Sequence, residues 1–497
     1  ACRTMFFDTP VYIVFLAAIV AVYWRFSRRR QNVLLLAASY FFYGWWDWRF
    51  LILILISTFV DYHCARQIEN STSIRRRRAL LTLSLAINLS FLGFFKYFNF
   101  FIDSTASMLQ LLGIRDIHPT LLRIILPPGI SFYTFQEVAY IVDVYKGKLK
   151  AARSLTDYAL FISLFPHLIA GPIQQPSHLL PQVQSDRRFD PRKFFGGLVL
   201  ILTGLFRKCV IADNCALLAN GAFSGQLGSP SVAVVTIGVM AFAWQIYGDF
   251  SGYSDIARGT AQLLGFHFVV NFRQPYLACT IQDFWKRWHI SLSTWLRDYL
   301  FLPVSFAVSR RLSADRILGL RADVWIYLVA TFATMLLGGL WHGANWTFVI
   351  WGGIFGLGLS LERLIPRITR LAPRGDRIAR RRAALLAPRA WLARGLTFLF
   401  VCLAWVFFRA SSLTEATGFL AGMGVAAWRP EYGTAAKFLA LFSLPLLALD
   451  ILLEYRDEEY LLEHAGAGFQ LLYAVTLLGV ITFFGANDVS AFVYFQF

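Results

Sequence analysis

The chain has 497 residues, of which 57% are hydrophobic and only 15% charged, with a formal net charge of +18. Soluble domains carry about 25% charged residues, so this composition excludes a soluble globule and implies an integral membrane protein. The basic excess does not point to nucleic acid, because Lys and Arg gather in blocks between apolar runs: RFSRRR at 25–30, RRRR at 75–78 and RGDRIARRR at 374–382. Beside apolar spans, such blocks mark cytoplasmic loops facing an anionic leaflet.

A hydrocarbon core asks for about 20 apolar residues per helix. In chain order, candidate spans fall at 8–24, 32–46, 49–64, 80–101, 121–144, 155–172, 193–217, 232–250, 325–340, 343–364, 391–408, 436–454 and 468–485. About a dozen transmembrane helices, an all-α polytopic protein, is the expectation. No A-x-A-like cleavage site follows the first run, which is expected to be retained. With 25–30 and 75–78 cytoplasmic, 32–64 forms a helical hairpin. Its aromatic turn YGWWDWRF (43–50) and the N-terminus then lie at the outer face. Several spans are broken by Gly and Pro, as in LPPGISFYTF (126–135), and broken helices persist only inside protein or along a wet cavity. The stretch 251–324 is too polar for a lipid-facing helix and too rich in Trp and Phe for an ordinary loop, so amphipathic or re-entrant helices are expected there. No internal repeat or soluble domain interrupts the chain. It reads as one integral membrane domain, 1–497, with a polar, partly re-entrant region at about 245–346.

The six cysteines (Cys2, Cys64, Cys209, Cys215, Cys279 and Cys402) are scattered. Neither a disulfide framework nor a thiolate metal site is expected. There is no H-E-x-x-H, no paired Cys/His ligand set, no G-x-S-x-G elbow and no phosphate-binding glycine loop, so no metal is expected. Of the eight histidines (63, 118, 167, 178, 267, 289, 342 and 464), His342 is the most deeply embedded. FATMLLGGLWHGANWTFVIWGG (332–353) holds no other titratable group. An ionisable residue inside the membrane is costly and by default marks a site. A neutral imidazole bonding a neighbouring helix is the competing reading. Gly338, Gly339 and Gly343 leave space beside the ring for a ligand, or for close helix packing. Asn345, three residues on, is expected near the same helical face.

A second polar cluster, IQDFWKRWHISLSTWLRDYL (281–300), sets Asp283, Lys286, Arg287, His289, Arg297 and Asp298 among Trp285, Trp288 and Trp295. A spacing of four aligns Asp283 with Arg287. An interfacial helix with Trp anchors and a site for an anionic donor both suit this composition. A third stretch, WQIYGDFSGYSDIARGTAQLLGF (244–266), carries Asp249, Ser251, Asp255 and Arg258, and Asp255 can pair with Arg258 on a helix.

Together, DFWKRWHISLSTWLRDYLFLP and GGLWHGANWTFVIWG resemble the signature of the membrane-bound O-acyltransferase (MBOAT) superfamily. The likeness is strongest to its bacterial alginate O-acetyltransferase branch. PPGISFYTFQEVAYIVDVYKG (127–147), FPHLIAGPI (165–173), YGDFSGYSDIARG (247–259), NFRQPY (271–276), WVFFRA (405–410) and FVYFQF (492–497) extend it from about residue 30 onward. The resemblance implies a ring of tilted helices and re-entrant or interfacial helices around a central tunnel. It implies catalytic roles for His342, as general base, and for His289. Asn345, Asp249 and Ser251 would support or orient, and Lys286, Arg287, Arg297 and Trp285 would contact the donor. No bound cofactor is implied. Acetyl-CoA or another acyl thioester would serve as donor substrate from the cytoplasm. An exported or cell-envelope polysaccharide would accept acetyl through an extracytoplasmic SGNH-type transfer protein, at a bacterial inner membrane. D-alanyl transfer to teichoic acid is the alternative enzyme reading. A transporter or flippase is the alternative of another class, and internal repeats, common in transporters, are absent.

Overall fold

The computed structural model describes residues 5–114, 121–122, 124–169, 171–312, 315–317, 319–365, 385, 387–461 and 466–486. His118, His464, Cys2, the basic block 374–382 and the ending FVYFQF lie outside the described residues. Contacts divide the chain into two compact units. One runs to Phe195 and adds Thr260–Val269; the other holds Gly196–Gly259 and everything from Val270.

The first unit contains α1 (Pro10–Tyr23), α2 (Arg28–Asp47), α3 (Leu51–Asn70), α4 (Ile74–Leu92), α5 (Phe98–Leu111), α6 (Ile130–Tyr145), α7 (Leu155–Ser163), the single turn α8 (Phe165–Leu168) and α9 (Pro176–Gln184). The expected hairpin is there. α2 ends at Asp47, whose extended backbone (φ −159°, ψ 107°) and side-chain cap on Arg49 N–H open the 3-10 turn Trp48–Phe50, and α3 packs back on α2. Polar groups cost little within these helices because they pair with one another. Asp61 of α3 accepts from Ser84 Oγ (2.5 Å) and Asn88 Nδ2 (2.9 Å) of α4, and Glu137 of α6 accepts from Ser57 Oγ (2.6 Å). Tyr12 of α1 and Thr260 share a buried hydrogen bond of 2.8 Å.

The second unit contains α10 (Pro191–Leu205, from Gly196), α11 (Asp213–Phe223), α12 (Val232–Leu263, to Gly259), α13 (Ile281–Trp285), α14 (Ile290–Leu296) and α15 (Leu302–Ser309). A two-residue antiparallel ribbon, β1 (Arg316–Ile317) with β2 (Leu320–Arg321), follows. The remaining helices are α16 (Ala322–His342), α17 (Trp346–Leu364), α18 (Pro388–Arg409), α19 (Leu413–Ala421), α20 (Pro430–Arg456) and α21 (Ala467–Phe484). α12 is the most enclosed span. At its crossing with α10, a Cβ on Gly204 would meet Gly252 O at 2.6 Å, and one on Gly252 would meet Gly204 O at 2.7 Å, so only glycine admits the approach. Between α10 and α11 the backbone winds as a π-helix, Phe206–Ala212. The wider turn turns two consecutive cations inward. Arg207 reaches Asp255 at 2.7 Å, and Lys208 reaches Asp213 at 2.8 Å and Asp249 at 3.1 Å. Charges this deeply buried are tolerable only in such pairs.

Among the described residues, eight helical stretches are long and apolar enough to cross a membrane, and one of them, Arg28–Asn70, holds both α2 and α3. Not every expected span forms a helix of full crossing length among the described residues. The runs at 8–24, 121–144 and 155–172 are mostly apolar but carry Asp8, Glu137 with Asp143, and Asp157, and their helices are short, 14 residues in α1, 16 in α6 and 9 in α7. Conversely, α12 continues 13 residues past the expected end at 250. Its polar residues are matched, Asp255 lying 3.6 Å from Arg258, so the helix need not stop where hydropathy falls.

Candidate functional site

α13 starts at a built cap. Thr280 Oγ1 accepts from Asp283 N–H (3.0 Å), and the Glu362 carboxylate of α17 takes the N–H groups of Ile281 (2.6 Å) and Gln282 (3.0 Å). This pins the N-terminus of α13 against α17, satisfying donors a helix leaves open. Arg287 then locks the following turn. It bonds Asp283 at 3.0 Å and forks onto both oxygens of Glu454 in α20 at 2.9 and 3.0 Å. Burial alone would lower the Arg287 guanidinium, but Asp283 and Glu454 carry it above its ordinary value.

His289 follows with φ 43° and ψ 54°, a left-handed conformation that a non-glycine residue adopts at a cost of about 1–2 kcal/mol. Asn271 supports it: its carbonyl accepts Ile290 N–H at 2.9 Å. Its side-chain oxygen lies 3.1 Å from Ser291 N, 2.8 Å from Ser291 Oγ and 3.2 Å from His289 Nδ1. The imidazole is completely buried. It stands edge-on to Phe250 at 4.6 Å and near Phe272 and Trp341, both at 6.3 Å. His289 lies between the long spans. Burial there, with no charged group acting on the ring, pushes its pKa down to about 3.

His342 is the last residue of α16, buried to 5% exposure, where the apolar run breaks before α17. Its ring is walled by Trp341 and Trp351, each at 4.9 Å, and Phe408 at 5.3 Å. Trp351 and Phe408 lean in turn on Trp405, which touches Trp288 at 5.0 Å. The fold thus brings the two histidines into one aromatic cluster, with the Trp341 indole in contact with both rings.

Three expectations change. Asn345 does not continue the helical face of His342, because α16 ends there and Gly343 is extended (φ −161°, ψ 149°). Asn345 instead caps α17 through Thr347 N–H (3.0 Å) and donates to Ser411 O (2.9 Å). The spaces beside Gly339 and Gly343 are filled rather than open, whereas a Cβ on Gly338 would meet only the Leu296 side chain, at 3.3 Å. A Cβ on Gly339 would collide with the Phe348 carbonyl, and one on Gly343 with the Phe348 ring, so they serve the contact of α16 with α17. Among the donor candidates, Arg287 is spent on carboxylates and Arg297 pairs with Asp298 at 2.7 Å. Lys286 is exposed, with no carboxylate partner among the described residues. Trp285 stacks edge-on to Phe355 at 5.0 Å and Trp351 at 5.8 Å, which ties it to the wall of His342.

Asp249 is held by Lys208. Ser251 is fully buried in α12, and its hydroxyl has no hydrogen-bond partner among the described residues. Sequence reasoning missed Asn271, Glu362 and Glu454, whose partners lie 17 to 167 positions away. The only signal for Asn271 was its place at the head of NFRQPY. No group of three or more His, Cys, Asp or Glu among the described residues has a metal-binding arrangement. The chemistry on offer is that of buried imidazoles in an aromatic setting, suited to moving a proton.

The profile of the membrane-bound O-acyltransferase family, MBOAT, matches residues 148–405. The chain is 40% identical over 415 residues to the probable alginate O-acetylase AlgI of Pseudomonas aeruginosa, covering 83% of this chain and 73% of the relative. It is 36% identical to the peptidoglycan O-acetyltransferase of Helicobacter pylori, covering 76% of this chain and 71% of that protein. A teichoic acid D-alanyltransferase of Streptococcus thermophilus is 28% identical over 47% of this chain and 56% of its own length.

Proposed function

Since the chain belongs to the membrane-bound O-acyltransferase family, and is an acyltransferase by that membership, we propose that it acetylates hydroxyl groups of an exported or cell-envelope polysaccharide, with His342 as general base. One observation carries the assignment of the base: His342 is buried at the interruption between α16 and α17, in an aromatic cluster shared with His289. In the proposed step the imidazole takes the proton of an acceptor hydroxyl as its oxygen attacks the thioester carbonyl. The tetrahedral intermediate collapses, the C–S bond breaks, and the imidazolium returns the proton to the departing thiolate. The products are an O-acetyl ester and a free thiol, and the base is regenerated. An imidazole suits this exchange near neutral pH, and the surrounding indole and phenyl rings keep water from the thioester.

The donor enters this reading as a cytoplasmic thioester, acetyl-CoA or an acetylated carrier. Lys286 is the cation free to meet its phosphate, since Arg287 and Arg297 are neutralised by their own carboxylates. The acceptor is an extracytoplasmic SGNH-type transfer protein or the polymer itself, and the membrane is the bacterial inner membrane. The test presents purified protein, reconstituted in vesicles, with labelled acetyl-CoA and with a D-alanyl carrier protein side by side. Consumption of acetyl-CoA with release of free thiol, and none of the D-alanyl donor, is expected. The reverse preference would replace the reading with D-alanyl transfer.

A further inference from the structure

The Asn271 side chain is clamped at both ends. Its oxygen faces Ser291 N at 3.1 Å, and a backbone N–H can only donate, so the orientation of the amide is fixed. The amide nitrogen accordingly donates to Ser254 Oγ at 3.1 Å. All of these groups are buried: Asn271 and Ser254 are each 1% exposed and Ser291 6%. The same oxygen lies 3.2 Å from His289 Nδ1. An unprotonated Nδ1 would set one lone pair against another at 3.2 Å, too close for anything to sit between them, so Nδ1 must carry the hydrogen. The Nε2 atom is left as the open lone pair, and it has no hydrogen-bond partner among the described residues. The rings that touch His289 are Phe250, Phe272 and Trp341, none of them charged. A fully buried acceptor left without a donor calls for an explanation, and a hydroxyl brought by substrate supplies one.

We infer that Asn271 is a positioning residue that holds His289 in the Nδ1–H tautomer, so that His289 Nε2 receives a hydrogen bond from the acceptor hydroxyl and cannot donate one to an oxyanion. This rests on the reading of the chain as an acyltransferase and sharpens it. Of the roles open to His289, oxyanion stabilisation by the neutral ring is removed, and orientation of the nucleophile remains. A hydroxyl has a single proton, so it points to His289 Nε2 in the docked acceptor and turns to His342 as the oxygen attacks, the two imidazoles acting in sequence.

The tautomer is read directly by nitrogen NMR of ¹⁵N-histidine-labelled protein in nanodiscs, the His289 signals being assigned by their loss in His289→Gln. The expected result is a protonated Nδ1 and an unprotonated Nε2. A protonated Nε2 overturns the inference. Asn271→Leu is expected to mix the tautomers and to lower acyl transfer about tenfold to a hundredfold. Asn271→Asp, which keeps the acceptor oxygen, is expected to restore most of that loss. It also moves the acid limb of the pH–rate profile upward, because a carboxylate stabilises the imidazolium. Full activity in Asn271→Leu, or no rescue by Asp at equal expression, overturns it. If Asn271→Leu does not fold, the wild-type spectrum and the Asp pH profile still decide. Failure of the acyltransfer reading itself would show separately, as wild-type protein inactive with every thioester while its NMR tautomer is still measurable.

Discussion

At the scale of single residues, the cations near His289 divide sharply by what they touch. Arg287 is anchored by Asp283 and by both oxygens of Glu454, whereas Lys286, one position earlier, is exposed. Removing one partner of a buried ion pair costs about 3–5 kcal/mol because the other charge is left uncompensated. Arg287→Ala is therefore expected to lower thermal stability in detergent and the yield of folded protein. Lys286→Ala should leave both unchanged and raise the KM for the donor several-fold. Equal effects on stability, or a KM change in neither, would remove the distinction. The i, i+4 pairing of Asp283 with Arg287 was legible in the sequence, since helical spacing alone sets it. Glu454 was not, because a partner 167 positions away is a product of packing. Asn345 was misread for a related reason. The apolar runs 325–340 and 343–364 already part there and Asn is a common N-cap, but the extended turn itself depends on Phe348 filling the space beside Gly343.

Among the elements, α2 and α3 form the hairpin that the basic blocks and the aromatic turn lead one to expect. The termini of that hairpin, near Arg28 and Asn70, meet the same neighbourhood. Arg28 lies 3.8 Å from Asp157 of α7, Glu69 accepts from Ala151 N at 3.2 Å, and Arg77 of α4 donates to Tyr145 O at 2.6 Å. Blocks 25–30 and 75–78 thus sit at one end of this group of helices, and the positive-inside rule assigns that end to the cytoplasm. In a background freed of the native cysteines, Ser27→Cys and Ser73→Cys are expected to resist an impermeant thiol reagent added outside whole cells and to react after permeabilisation. Labelling from outside would invert the orientation. Hydropathy found these helices but misjudged the length of others. α12 runs on to Leu263 because Asp255 pairs with Arg207 and Arg258 with Glu459 within the protein, and the run at 155–172 yields only α7 and the single turn α8.

For the whole molecule, composition was enough to exclude a soluble fold, and the family motifs single out His342 and His289 as candidates without any knowledge of contacts. The contacts add what no motif states: the second unit gathers α12, α13, α14, α16, α17 and α18 so that one indole, Trp341, touches both rings. That arrangement makes the acetyl-transfer account testable at a single atom. The most direct measurement is the acetyl content of the exported polymer in cells that carry His342→Ala as the sole copy, at membrane expression matched to the wild type. Loss of a general base costs about a hundredfold to ten-thousandfold in rate, so acetylation is expected to fall to background while the protein remains folded and inserted. Wild-type acetylation at matched expression would contradict the account.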